Sequence, residues 1–530
     1  MASVLKTTSL GEIRGKAHDG VVQYLGLQYA TLKNRLADAE LVERRDGDVL
    51  DATKDGPTAV SPPFGCDLEQ SVIQHTLPKK GLPQSELDCL NLNITAPAGT
   101  SATSNLPVFL FIHGGGLVVG ANSWPQFDYA RFVKLSVEKN MPVVAVAINY
   151  RLGPFGFLTS DELRRAGYMA NNGLRDQRVA MQWVQRHIHD FGGDPENVTL
   201  AGMSAGGASV TYHLHSEHAL FKRAIVMSGT WFLTGPLPYE FHEQNYTQAM
   251  EALGLSNASV EERIKALLET PGQEVVSKIP PLVQSAPAID GDMVLSAATH
   301  AQTADKESTI PKGKSWCRDL MIGDAEMDAC IMALFMSHLK PGCARRLVTA
   351  MTTVVSSPTA QQLLDDYGVS ENMPDDEGFS RILNFINDVL FFTPVLSFAR
   401  GWTGDAYVYY FNEENPWDGP WRDRASHILD LAYLFQNYRE FLTPTQQSVG
   451  TAFAEDIFKF CHGVAPWTAV AGIPDGFVAR TYGPSRGQPV GQVEQPYGGG
   501  SLRRRIPFDY ADKVSLDELA RVVDVFKTMP

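Results

Sequence analysis

Val198-Thr199-Leu200-Ala201-Gly202-Met203-Ser204-Ala205-Gly206-Gly207 decides the fold. A short apolar strand runs directly into Gly-x-Ser-x-Gly, and a helix-forming run follows. A strand that turns abruptly into a helix puts Ser204 at the apex of a strained turn. Small residues two positions to either side, Gly202 and Gly206, let the backbone pack that tightly. Such a turn exposes the hydroxyl at a helix N-terminus, where backbone N–H groups favour an oxyanion. The same residues also fit a glycine-rich strand–helix turn with an inert serine, so a second element must discriminate.

That element lies upstream. Leu106-Pro107-Val108-Phe109-Leu110-Phe111-Ile112 is a continuous apolar run, as expected of a strand buried on both faces. It ends in His113-Gly114-Gly115-Gly116-Leu117. Consecutive glycines bring bare N–H groups close to a reacting atom, the pattern of an oxyanion hole that works with the N–H after the nucleophile. The expected donors are Gly115, Gly116 and Ala205.

Other segments extend this pattern. Residues 143–148, 224–227 and 407–411 read as strands. Val179, Trp183, Val184, Ile188 and Phe191 share one helical face, so residues 175–190 read as a helix packed on a sheet. Residues 239–270 read as a helical insertion, 516–526 as a closing helix, and 360–380 and 465–505 as surface loops. Alternating strands and helices predict an α/β fold, a large, mostly parallel central sheet with helices on both faces. We expect residues 1–530 to form a single domain, since large α/β enzymes carry this length on one core.

Composition excludes several classes. The chain carries a net charge of −15, and its longest basic run is Arg503-Arg504-Arg505, too short for a nucleic-acid footprint on an acidic protein. No stretch is expected to span a membrane. The N-terminus lacks the apolar core of a signal peptide, which predicts a cytoplasmic protein or, alternatively, a secreted one given in mature form. The six cysteines show no C-x-x-C pair and no zinc spacing, and acyl transfer through a serine triad would require no metal or cofactor.

Several blocks together resemble the type-B carboxylesterase/lipase family of α/β-hydrolases, which includes the cholinesterases. They are Gly11-Glu12-Ile13-Arg14-Gly15 with Tyr24–Ala30, Asp88-Cys89-Leu90-Asn91-Leu92-Asn93-Ile94, Asn149-Tyr150-Arg151-Leu152-Gly153, Asn172-Gly173-Leu174-Arg175-Asp176-Gln177, residues 191–206, and Pro287-Ala288-Ile289-Asp290-Gly291-Asp292. The resemblance implies the α/β-hydrolase fold with helical insertions over the active site, and a buried ion pair between Arg151 and Asp176. It implies hydrolysis of a small-molecule ester without a cofactor.

In this fold the triad follows the order Ser…Asp/Glu…His. Asp319-Leu320-Met321-Ile322-Gly323 supplies the strand before the acid, and the family pattern aligned on Gly323–Ala329 puts the acid at Asp328, where most members carry Glu. Asp324 and Glu326 remain alternatives. Among thirteen histidines, those before Ser204 are in the wrong order, and His427-Ile428-Leu429-Asp430 resembles the family's histidine block. His338 falls in a helical run and His462 at a helix end.

Departures from the family pattern accompany these matches. Met203 replaces the Glu that commonly precedes the nucleophile, and Leu87 stands where an acid usually adjoins the Asp-Cys pair. Cys66 and Cys89 occupy positions similar to the family's first disulfide, and the other four cysteines are expected free. The substrate pocket is expected to be walled by Leu117, Val118, Trp231, Phe232, Phe391 and Phe392, which suggests an uncharged, lipophilic ester. Competing chemistries on the same triad are thioester, lactone or amide cleavage and acyl transfer to an alcohol. A non-catalytic binding module is a further alternative, opposed by the intact triad and glycine loop.

Overall fold

The computed structural model describes residues 2–280, 283, 286–470, 477–495 and 502–529. Its strands are β1 (Ala2–Lys6), β2 (Glu12–His18), β3 (Val21–Gln28), β4 (Ala30–Leu32), β5 (Ala39–Leu41), β6 (Leu50–Ala52), β7 (Asn91–Pro97), β8 (Leu106–Ile112), β9 (Val144–Ile148), β10 (Gly193–Met203), β11 (Arg223–Met227), β12 (Asp319–Ala325), β13 (Asp405–Phe411), β14 (Ala479–Tyr482) and β15 (Val490–Val493). The main sheet runs β1-β2-β3-β7-β9-β8-β10-β11-β12-β13-β14-β15, with β6 beside β2, while β4 and β5 pair separately. From β9 to β14 every neighbouring pair is parallel. Antiparallel strands close both ends.

The continuous apolar runs follow from this placement, because each central strand is covered on both faces. Side chains alternate across a strand. Phe109 and Phe111 of β8, Met203 of β10, Met227 of β11 and Tyr409 of β13 therefore feed one hydrophobic layer. Val108 and Leu110, Leu200, Val226 and Val408 feed the other. The helix Asn172–His187 buries Leu174, Met181, Trp183 and Val184 against the second layer. Its Asp176 accepts hydrogen bonds from Arg151 Nε at 2.8 Å, Nη2 at 2.7 Å and the Arg151 backbone N–H at 3.0 Å. Arg151 Nη1 donates to the carbonyls of Arg35 and Ala37, so this fully buried pair is hydrogen-bonded on every side and ties the N-terminal strands to the core.

Three expectations are corrected. Residues 360–380 are largely helical, in Ser357–Asp366 and Asp375–Asn387. Both begin with first-turn signals, Pro358 in one and Asp375, Asp376 and Glu377 in the other, whose polarity resembles a loop. The 465–505 stretch contains β14 and β15, although residues 471–476 and 496–501 lie outside the described residues. One 27-residue helix, Asp375–Gly401, is long and apolar enough to cross a membrane, but its apolar window is 94% buried in the protein, as a core helix.

The sulfurs also differ from expectation. Cys66 and Cys89 are both free and buried, with no bridge between them. Cys66 Sγ faces Gln126 Oε1 at 3.9 Å and Gln70 Nε2 at 3.6 Å. Cys89 packs with Leu90, Leu92 and Ile94 in the second hydrophobic layer, so each thiol is already enclosed by its own neighbours.

Candidate active site

Ser204 adopts φ 57° and ψ −126°, a conformation that non-glycine residues rarely hold and that surrounding packing must enforce. The enforcement is visible at Gly202 and Gly206. A Cβ on Gly202 would lie 2.3 Å from the Gly206 carbonyl oxygen, and one on Gly206 would lie 2.1 Å from that of Ile112. The Ser204 N–H donates to Met227 O at 2.9 Å, pinning the turn to β11. The helix Ala205–His213 begins immediately afterwards, so the Ala205 N–H belongs to its unsatisfied first turn.

The glycine loop presses against this turn. A Cβ on Gly114 would meet Met203 O at 2.8 Å, and Gly115 and Gly116 take φ +98° and +63°. Neither Gly115 nor Gly116 donates its N–H to any acceptor among the described residues. His113 anchors the loop: its Nδ1 bonds to Gly114 O at 2.9 Å, its ring stacks on Tyr150 at 4.5 Å, and Tyr150 Oη donates to His113 O at 2.9 Å. Burial pulls the His113 pKa down to about 4, so it stays a neutral strut.

The acid and base loops are stitched together by Met327 N–H to Ala425 O at 2.9 Å. Asp328 Oδ1 lies 2.7 Å from His427 Nδ1, and Asp328 Oδ2 accepts the Ala325 N–H at 2.8 Å. The His427 N–H donates to Cys330 Sγ at 3.1 Å, and the Phe391 ring packs edge-on to the imidazole at 5.7 Å. Among the described residues His427 Nε2 is buried without a hydrogen-bond partner. The alternative acids are engaged elsewhere. Glu326 takes a bidentate pair of bonds from Arg424 at 2.9 and 2.8 Å, and Asp324 pairs with Arg504 at 2.9 Å. Burial pushes Asp324 up to about 8 and, reinforced by the Asp328 charge, Asp430 likewise.

Ser204, His427, Gly115, Gly116 and Ala205 line one cavity of about 320 Å³. Of the expected pocket residues only Val118 reaches it. Leu117, at φ +63°, turns into the core. Trp231 packs on Phe398 at 4.5 Å, Phe232 stacks on His300 at 4.0 Å, and Phe392 carries the Arg504 guanidinium 4.8 Å above its ring. Phe391 supports His427 rather than the cavity. The actual walls are Val119, Met203, Leu233 and the turn after the acid, Ile331, Met332, Phe335 and Met336. That apolar run was visible in the sequence directly after Asp328.

Two departures find an account. Leu87 is exposed, and the neighbouring Glu86 supplies the charge instead, pairing with buried Arg35 at 2.8 Å and accepting Gly272 N–H at 2.7 Å. Met203 lines the cavity, while a carboxyl group enters it from another element. Glu69 of the helix Gly65–Ile73 is buried there with one hydrogen bond, from Gln126 Nε2 at 2.9 Å, and burial raises it to about 7.

A serine at a strained strand–helix turn, facing free N–H groups beside an acid–histidine pair, defines a serine hydrolase of the α/β class. The sequence profile of the carboxylesterase family matches residues 2–460, and the chain belongs to that family and is a carboxylic ester hydrolase. It is 29% identical to lipase 3 of Yarrowia lipolytica over 84% of this chain and 86% of the relative. It is also 29% identical to the para-nitrobenzyl esterase of Bacillus subtilis over 82% of this chain and 84% of the relative. A solved structure of a PNB esterase superposes with TM-score 0.72 at 25% identity, covering 94% of this chain and 98% of the other.

Proposed function

We propose that the chain hydrolyses lipophilic carboxylic esters by two acyl transfers through Ser204. His427 Nε2 takes the Ser204 proton as Oγ bonds to the acyl carbon. The carbonyl oxygen becomes an oxyanion held by the N–H groups of Gly115, Gly116 and Ala205. Collapse breaks the bond to the alcohol oxygen, and Nε2 returns the proton to that oxygen. Water then attacks the acyl-enzyme by the same route, releasing the acid and restoring Ser204. Asp328 fixes the imidazole tautomer and stabilises the imidazolium.

The observation that carries this reading is the division of the imidazole: Nδ1 is held at 2.7 Å by Asp328, while Nε2, in the cavity that Ser204 shares, has no partner among the described residues. Val118, Val119, Met203 and Ile331 support a substrate that is uncharged and apolar next to the scissile bond. The six buried free thiols support the cytoplasmic location read from the sequence. A sheet that draws strands from β1 to β15 supports treating residues 1–530 as one working unit. The test is Ser204→Ala with p-nitrophenyl butyrate. Turnover is expected to disappear while the thermal transition persists, and a rate within about tenfold of the unmodified protein would overturn the reading.

A further inference from the structure

Among the described residues lining the Ser204 cavity, Lys527 alone is a lysine or arginine. It sits in the last turn of the helix Leu516–Thr528, beyond the segment that the family profile matches. Capping and packing of the helix set its position. Ser515 and Glu518 form a reciprocal cap at the helix start, and Leu519, Val522, Val523 and Phe526 are buried in the first hydrophobic layer. This register leaves Lys527 half-buried at the cavity.

Lys527 has no ion pair and no hydrogen bond among the described residues. Asp524, one turn earlier on the helix, acts on it only through space, and burial pulls the ammonium below the ordinary lysine range. Glu69 lies on a different helix and is bonded to Gln126. Among the described residues the other titratable groups on the cavity wall are His338, which is exposed, and His427, which is held by Asp328.

A cation left without a partner on an apolar wall is costly, and an incoming anion removes that cost. The partly desolvated setting also strengthens the attraction beyond its value in water. A single ammonium is a point charge, without the fork that grips a phosphate at two oxygens, and it matches a monoanion. We propose that Lys527 is a specificity-determining residue that selects esters carrying a carboxylate remote from the scissile carbonyl, joined to it by an apolar spacer. This inference rests on ester hydrolysis at Ser204.

The carboxylate can belong to the acyl or the alcohol part, and matched substrates separate the two. On the acyl side the pair is p-nitrophenyl hydrogen adipate and p-nitrophenyl hexanoate. On the alcohol side it is the butanoyl ester of an ω-hydroxypentanoate and pentyl butanoate. The quantity read is the ratio of kcat/KM, anionic over neutral, within each pair. Lys527→Met is expected to lower that ratio by about tenfold or more in one pair, with Lys527→Arg retaining it. Raising the ionic strength is expected to lower it in the unmodified enzyme as well. A ratio unchanged by Lys527→Met in both pairs overturns the inference. If Lys527→Met lacks a cooperative melting transition, Lys527→Gln is read in its place. An unmodified enzyme that disfavours the anion by more than about a hundredfold in both pairs overturns it without any variant. Neutral esters cleaved with a Lys527-independent ratio remove the carboxylate subsite alone, whereas failure to cleave any ester removes the hydrolase reading with it.

Discussion

Asp328 holds His427 through one carboxylate oxygen, Oδ1 to Nδ1 at 2.7 Å, and is itself held through the other by the Ala325 N–H at 2.8 Å. Asp328 opens the tight turn Asp328–Ile331, which follows the strand Asp319–Ala325. Asp328→Asn is expected to lower kcat by about four orders of magnitude, because an amide at this place favours the wrong imidazole tautomer. Glu326→Gln is expected to act on stability instead, through Arg424 and Arg503. Initial rates on p-nitrophenyl butyrate, read beside melting curves, check both. A mild Asp328→Asn with a damaging Glu326→Gln would move the acid two residues upstream.

The parts legible in the sequence were those whose environment is two-sided. β8 through β13 are covered on both faces and read as apolar runs, and the Gly-Met-Ser-Ala-Gly turn can be built in few ways. The order of Ser204, Asp328 and His427 then followed from the fold. The pocket was less legible because a wall depends on which way each side chain points. Leu117 adjoins the glycine loop in sequence and Trp231 follows the strand beside the Ser204 turn, yet both side chains pack into the core. Glu69 and Lys527 carried no local signal, since helices distant in the chain bring them to the cavity.

Asp430, three residues after the proposed base, is fully buried, with one oxygen bonded to the Leu431 N–H at 2.9 Å and the other without a partner among the described residues. Burial raises its pKa from 3.8 to about 8. The folded protein therefore binds this proton more tightly than the unfolded chain, and folding is favoured most at low pH. That contribution is lost as pH rises from about 4 through about 8. Asp430→Asn removes the titration, so the stability of the variant relative to the unmodified protein should rise between pH 5 and pH 8.5. Denaturant titrations at those values check the sign, and a difference that is flat or falls with pH would contradict it.

The Arg151–Asp176 pair is a fold determinant, with relative exposures of 2% and 0% at its two side chains. Removing Arg151 leaves a buried carboxylate and frees the carbonyls of Arg35 and Ala37. Arg151→Met is expected to cost about 3–5 kcal/mol of stability, and a double variant with Asp176→Leu less than the sum of the two single losses. Urea unfolding of the four proteins closes the cycle. Additive losses would show that the two charges are not coupled.

All six cysteines are free and buried, and burial pushes the Cys66, Cys89 and Cys461 thiols up to about 12. The thiolate is the reactive species, so a folded protein of this kind resists thiol reagents. Native protein should react slowly with a disulfide-exchange reagent, whereas denatured protein should release six equivalents whether or not reductant was present beforehand. The identity of the thiols matters as much as their number. Gln70 and Gln126 already surround the Cys66 sulfur, so Cys66→Ala should open a small defect without changing the count lost to oxidation. A denatured count of four without reductant, restored to six with it, would show one bridge. If Cys66→Ala and Cys89→Ala each left that preparation with one additional free thiol, the bridge would be the Cys66–Cys89 pair that the family resemblance implied.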